Sequence, residues 1–299
     1  MKLAVVGLGQ MGLPVAAALS SAGHEVLAWD TDPARIAAAV RHGARDRRTR
    51  EAALAAPLVV TLLPDDAALL ALCDGPDGLL ARLPRTGVHL CLGTLGVATA
   101  QVLAAAHARA SQAFVACPVF GRPDEAWERD LTAVFGPAAG TPAEAVAQAR
   151  SVVLRLAPRI HEVATPAAAC AVKLAGNQMI ASAVATLTEC FALVQAHGVP
   201  ARQLYQVVTG KLFRGPVYEG VGRILAGAVA PPAPPGFTLR LGLKDLELRA
   251  AAAQAVRLCM PVADAVQARL AEAVAAGHGG RDWAELPHCL PDSSRPDPT

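Results

Sequence analysis

Aromatic residues are scarce in this chain: six Phe, three Trp and two Tyr make up 4% of 299 residues, against a hydrophobic share of 53%. The core must therefore be built mainly from Ala, Val and Leu. Charge of one sign is missing as well. Lys and Arg total 27 against 25 Asp and Glu, a formal charge of +2. The densest basic stretch, "RHGARDRRTRE" (41–51), reads as a solvated helix or loop, so nucleic acid is not an expected partner. The seven cysteines are scattered, with no CxxC pair and no histidine at ligand spacing. That pattern fits free thiols in a reducing compartment and predicts no zinc or other metal site. The amino terminus begins like a signal peptide, but Gly7, Gly9 and Gln10 break its apolar run and no cleavage-like segment follows. Nor is there a run of 18 purely apolar residues elsewhere. A soluble, cytoplasmic protein with no membrane partner is expected.

What is present is length and alternation. The chain can bury a real core and is long enough for two domains. "LAVV" (3–6), "EVLAW" (25–29), "LVVTLL" (58–63), "VHLCL" (88–92), "AFVAC" (113–117) and "TAVFG" (132–136) read as buried strands. Ala-rich amphipathic stretches separate most of them, which implies a mostly parallel, doubly wound sheet. Asp32-Pro33 reads as a helix N-cap followed by proline at the first helical position. From Pro166 the strand signal stops. A long helix to His197 is expected, then others starting near Pro200, Gly215, Leu239 and Pro261, with "APPAPPG" (230–236) as a rigid connector. The expectation is an α/β domain over 1–165, an all-α helical domain over 166–290 and a disordered tail over 291–299.

The first strand leads into Gly7-Leu8-Gly9-Gln10-Met11-Gly12. Gly7 permits a tight turn, Gly9 lets a pyrophosphate approach the backbone, and Gly12 lets the helix pack against the strand. The helix amino terminus then offers N–H groups to phosphate. GxGxxG alone is weak evidence. Here it follows a strand, opens a helix, and is followed 18 residues after Gly12 by Asp30 at the next strand end. That context predicts a Rossmann-type dinucleotide site. Asp30 would accept hydrogen bonds from the adenosine ribose and repel a 2′-phosphate. With Thr31 carrying no charge, NAD is the expected cofactor. Arg35, one turn into the next helix, is close enough to meet a 2′-phosphate and keeps NADP possible.

The helix from Pro166 holds one lysine, Lys173, in an apolar setting; Glu189 is the only other formal charge before Gly198. A buried ammonium is costly unless something offsets its desolvation. Lys173 and Asn177 lie one turn apart on one face, about 40° out of line. Gly176 between them costs about 1 kcal/mol relative to Ala, which makes sense where a ligand or another backbone must come close.

Several motifs in order, "GLGQMGLPVA" (7–16), "LLPDD" (62–66), "LGTLG" (92–96), "CPVFGRP" (117–123), "KLAGN" (173–177), "GLKDLEL" (242–248) and "GHGGRDWAEL" (277–286), resemble the β-hydroxyacid dehydrogenase family. The resemblance covers residues 1 to about 286. It implies that Leu63 and Pro64 line the cofactor, that Thr94 sits by the nicotinamide ribose and that Lys244 reaches the cofactor. It also implies that Lys173 is the catalytic lysine, with Asn177 beside it. Such a lysine donates its proton to a carbonyl oxygen as hydride arrives, and takes it back in the oxidation direction.

Family members that act on hydroxy acids usually show D-x-x-V-S-G-G in the substrate loop. Here the stretch runs Ala116-Cys117-Pro118-Val119-Phe120-Gly121-Arg122. Phe120 replaces the serine and Arg122 the second glycine, so Phe120, Gly121 and Arg122 are the candidate substrate residues. A substrate more apolar than hydroxyisobutyrate is expected, its apolar part against Phe120. The expected function is an NAD(P)-dependent oxidoreductase acting on a small hydroxy or oxo compound. An imine reductase on the same fold and a non-enzymatic dinucleotide-binding scaffold are the alternatives. A helix as apolar as 166–197 cannot be covered by the roughly 100 residues that follow it unless another chain helps. The resemblance likewise implies a homodimer.

Overall fold

A computed structural model describes residues 1–46 and 49–289; the expected tail, 291–299, lies outside the described residues. The chain divides into two compact units, the first Met1–Lys173 and the second from Leu174 onward.

The first unit runs β1 (Lys2–Val6), α1 (Gly12–Ser21), β2 (Glu25–Trp29), α2 (Pro33–Arg41), β3 (Arg45–Asp46), α3 (Arg50–Leu54), β4 (Leu58–Thr61), α4 (Asp66–Cys73) and α5 (Leu79–Arg82). It continues through β5 (Val88–Cys91), α6 (Val97–Arg109), β6 (Ala113–Ala116), β7 (Val119–Phe120), α7 (Pro123–Glu128), β8 (Thr132–Pro137), α8 (Ala143–Val153) and β9 (Arg159–Glu162). The strands lie in the order β3-β2-β1-β4-β5-β6-β8-β7, with β9 on β8. From β3 to β6 every pairing is parallel, and β8 pairs antiparallel with β6 and β7. The expected mostly parallel sheet is present.

Its register explains the unbroken apolar runs. Ala28, Val5, Val60, Leu90 and Val115 stand side by side across five strands and face one apolar cluster. Their neighbours Leu27, Ala4, Val59, Phe114 and Ala116 face the other. Both faces are covered, so side chains on either are mostly apolar, and the buried exceptions Thr61 and His89 are hydrogen-bonded to each other. Asp32 caps α2, accepting from the Ala34 N–H at 2.9 Å with Pro33 in the first turn.

The helix α9 (Pro166–Ala196) starts in the first unit and runs on past its boundary. Ala169 and Cys170 pack into the sheet cluster that holds Ala116 and Phe114. This close approach depends on Gly136 of β8, where a Cβ would stand 2.4 Å from the Thr165 carbonyl oxygen. By length and composition alone α9 is apolar enough to cross a membrane, with a mean hydropathy of 1.5 over 18 residues, yet it carries the polar group Lys173, Asn177 and Gln178.

The second unit adds α10 (Ala201–Lys211), a π turn (Pro216–Val221) leading into α11 (Gly222–Leu225), α12 (Leu239–Ala255) and α13 (Pro261–Ala273). Its main core gathers Val184, Leu239, Leu246, Leu270, Trp283 and Leu286. Asp282 is fully buried and accepts from the N–H groups of Gly236, Phe237 and Ala284. It thereby ties the end of the Pro-rich connector to the closing "RDWAEL" segment. Trp283 packs on Phe237, whereas Trp127 is 44% exposed beside His42.

Candidate active site

In the first unit the predicted residues gather at the carboxyl ends of the parallel strands: Gly7 after β1, Asp30 after β2, Leu63 and Pro64 after β4, Thr94 after β5 and Phe120 beyond β6. This edge is where open α/β sheets bind ligands.

The three glycines differ in why they are glycine. Gly7 has φ +88°, and a Cβ there would meet the Leu62 carbonyl oxygen at 2.3 Å. At Gly12 a Cβ would lie 1.8 Å from the Gly7 carbonyl oxygen. Both are demanded by the chain's own packing. Gly9 is not: a Cβ would find nothing nearer than the Arg35 guanidinium at 3.9 Å. Room is left above its backbone at the start of α1, and that opening fits a pyrophosphate held on the helix amino terminus.

Asp30 is buried and does two jobs. One oxygen accepts from the Leu8 N–H at 2.6 Å and so holds the glycine turn in shape. The other accepts from the Asp32 N–H at 2.9 Å. Arg35 leans back over the turn, its guanidinium 3.7 Å from Asp30 and 3.6 Å from Asp32. Gln10 is exposed and Met11 half-buried at the N-cap of α1. Asp66 is a residue that sequence reasoning missed. Its carboxylate accepts from the Gly96 N–H at 3.1 Å and from the Thr99 hydroxyl, fastening the 62–66 loop to the 92–96 loop. It thus sets Leu63 and Pro64 beside the loop of Thr94.

Lys173 is 9% exposed, and its Nζ lies 4.0 Å from the centroid of the Phe120 ring. The ring expected to receive the substrate's apolar part thus carries the ammonium. Gly121 has φ +143°, with Leu131 where a Cβ would go. The Arg122 N–H donates to Glu125 at 2.7 Å, which closes the start of α7. In the second unit the Asn177 amide nitrogen donates to Asp245 at 2.5 Å, and Lys244 Nζ pairs with the other Asp245 oxygen at 2.9 Å. Asp245 thus holds both Lys244 and Asn177.

A second polar group lies inside the sheet's helix layer. Gln112 donates to the Leu80 and Leu83 carbonyls, so its oxygen is left to accept from His107 Nδ1 at 2.8 Å. His107 Nε2 then accepts from His89 Nδ1 at 2.9 Å, and His89 Nε2 accepts from the Thr61 hydroxyl at 2.9 Å. Burial pushes His107 down to about 4 and His89 well below its ordinary value, so both rings are neutral. Cys73 completes a trio of donor atoms within 4.8 Å, but burial drives its thiol up to about 12 and every imidazole nitrogen already has a protein partner. Burial likewise raises the thiols of Cys117 and Cys170.

Residues 2–190 match the family described as the NAD binding domain of 6-phosphogluconate dehydrogenase. Residues 167–290 match the NAD-binding domain of NADP-dependent 3-hydroxyisobutyrate dehydrogenase. The chain belongs to the β-hydroxyacid dehydrogenase family. Among the relatives of this dehydrogenase is an uncharacterized oxidoreductase, YfjR, of Bacillus subtilis, 36% identical over 97% of this chain and 100% of its own. The 3-hydroxyisobutyrate dehydrogenase of Pseudomonas aeruginosa is 30% identical over 87% of this chain and 88% of its own. A solved structure of the Mycobacterium tuberculosis 3-hydroxyisobutyrate dehydrogenase with L-serine matches at a TM-score of 0.83 and 26% identity, covering 96% and 98% of the two chains. The reductive aminase of Aspergillus terreus shares the fold at a TM-score of 0.61 and 24% identity, covering 95% and 97%.

The protein is accordingly an NAD(P)-dependent oxidoreductase acting on a small molecule, and the non-enzymatic scaffold reading falls away. In the stretch 116–122, Phe120 stands where the motif D-x-x-V-S-G-G has a serine, and the Arg122 N–H is engaged by the chain's own Glu125.

Proposed function

We propose that this dehydrogenase interconverts a small carbonyl compound and its alcohol, with Lys173 as the proton donor in reduction and the acceptor in oxidation. The observation that carries the reading is the placement of Lys173: one cation, 91% removed from solvent, on an apolar helix. An ammonium removed from water has its pKa drawn toward the working range, which suits a group that gives and takes a proton. Within hydrogen-bond reach of a carbonyl oxygen it stabilises the developing charge and delivers the proton.

The cofactor, when bound, supplies or accepts the hydride. Gly7 to Gly12 would cradle its pyrophosphate, with Leu8, Gln10 and Met11 shaping the turn, and Asp30 would receive its ribose. Leu63, Pro64 and Thr94 would flank the nicotinamide half, and Lys244 would reach the cofactor from α12. Asn177, its amide nitrogen committed to Asp245, has its oxygen left as an acceptor that can orient a hydroxyl or an ammonium without adding charge.

The substrate is held without the usual grip on a carboxylate. Phe120 supplies no hydroxyl, and Glu125 occupies the N–H of Arg122. Gly121 and Arg122 border the substrate, which is a neutral carbonyl compound. The same two observations favour a second reading, reduction of an imine, for which the fold shared with the reductive aminase leaves room. The protein acts in the cytoplasm as a soluble homodimer, with no nucleic-acid or membrane partner.

The test is nicotinamide absorbance with a panel of neutral aldehydes and ketones, oxo acids and cyclic imines, on the parent and on Lys173→Ala. Neutral carbonyl compounds should turn over best. The variant should lose about 10²–10⁴-fold in kcat with cofactor affinity nearly intact. Turnover within a few-fold of the parent would return Lys173 to a structural role.

A further inference from the structure

The contact between Lys173 and Phe120 is held from both sides. Phe120 sits on β7, paired with Thr132 of β8, and its ring packs on the cluster containing Ala116 and Cys170. Lys173 follows Ala169 and Cys170 by one helical turn, and those residues are fixed in the same cluster by the close approach at Gly136. Neither partner is a surface side chain free to choose another rotamer. Nζ at 4.0 Å from the ring centroid is well inside the range in which a π face attracts an ammonium, and burial strengthens that attraction.

We propose that Phe120 is a positioning residue for proton transfer: its ring face seats the Lys173 ammonium, at the position where the motif of hydroxy-acid members has a serine. This rests on the reading of Lys173 as the proton donor. The exchange of a hydroxyl for a ring then has a chemical logic. A hydroxyl would add a hydrogen bond to the substrate. The ring adds a restraint on the lysine, a weakly directional contact that Nζ can leave by a small displacement as it gives up its proton. A carboxylate in place of the ring would pin the ammonium more strongly and hold back the proton.

Shape-preserving substitution separates electronics from packing. Phenylalanine at 120 is replaced by its 4-fluoro, 3,5-difluoro and pentafluoro forms, which withdraw charge from the ring face with little change in volume. Phe120→Leu completes the set. With the best carbonyl substrate of the panel, kcat should fall stepwise along the fluorinated series, by about two- to thirty-fold in total. Phe120→Leu should match the pentafluoro form, while cofactor affinity is unchanged throughout. A flat series, with Lys173→Ala still inactive, overturns the role of Phe120 and leaves the lysine in place. An active Lys173→Ala overturns the reading of the lysine, and the proposal falls with it. The two failures are therefore told apart by one variant.

Discussion

The side-chain amide nitrogen of Asn177, on α9, donates to a buried oxygen of Asp245, on α12, at 2.5 Å. A carboxylate can only accept, so this bond decides which end of the amide faces away. The second Asp245 oxygen pairs with Lys244. One buried acid thus sets both an acceptor on α9 and a cation on α12. In Asp245→Asn the amide of residue 177 is free to turn over and Lys244 loses its counter-charge. We expect kcat to fall about tenfold, cofactor affinity to weaken, and stability to drop by about 1–3 kcal/mol. Steady-state kinetics beside urea denaturation check this, and an unchanged kcat in a folded variant contradicts the orienting role of Asp245.

The histidine chain gives stability a pH dependence. His89 and His107 are held neutral in the folded protein, His107 down to about 4, whereas in the unfolded chain they titrate near 6.5. Below 6.5 the unfolded state binds the extra protons. The contribution is therefore fully present above about pH 6.5 and is lost as the pH falls toward 4. From pH 7.5 to pH 5, His107 alone should cost on the order of 2 kcal/mol. Urea midpoints at the two pH values measure it. His107→Leu with His89→Phe should flatten the dependence, and a parent equally stable at both pH values would contradict the assignment.

How much could be read in advance follows from where each signal is stored. The parallel strands are legible because they are apolar on both faces, and Asp32-Pro33 announces its helix through local chemistry. The two-residue strands β3 and β7 are too short to carry a pattern, and β9, "RIHE", is largely exposed and polar. The clamps are invisible for a different reason. Asp66 meets Gly96 30 residues away and Asp245 meets Asn177 68 residues away, so nothing local marks either acid. The exchange of serine for Phe120 is visible as a departure in a motif. That its ring seats Lys173 depends on the approach of α9 to β8 at Gly136, which sequence spacing does not reveal.

Cofactor preference turns on the surroundings of Asp30. Its buried carboxylate is fixed by the Leu8 and Asp32 N–H groups and cannot swing aside for a 2′-phosphate. Arg35, the nearby cation, lies between Asp30 and Asp32 and is partly neutralised by both. We expect NADH to bind at least about tenfold more tightly than NADPH, equivalent to 1.4 kcal/mol. Arg35→Ala should leave NADH affinity within a few-fold. Fluorescence titration of both cofactors decides it, and equal or tighter NADPH binding would show that Arg35 outweighs the two acids.

Assembly is the last prediction. The 18-residue stretch of α9 with mean hydropathy 1.5 is only 39% buried within one chain. Met179 is 73% exposed and Leu193 61%, while Val207 and Leu212 of the neighbouring α10 region are 65% and 69% exposed. Single exposed apolar side chains are ordinary; several on one apolar helix and its neighbour are less so. A second copy offers a matching apolar helix, and a two-fold axis lets the same face cover itself. We expect light scattering at micromolar concentration to give twice the chain mass. Met179→Glu with Leu193→Glu places two carboxylates in the covered face, where burial without partners opposes association. The double variant should run as a monomer with reduced stability. A parent that is monomeric and fully active contradicts the homodimer.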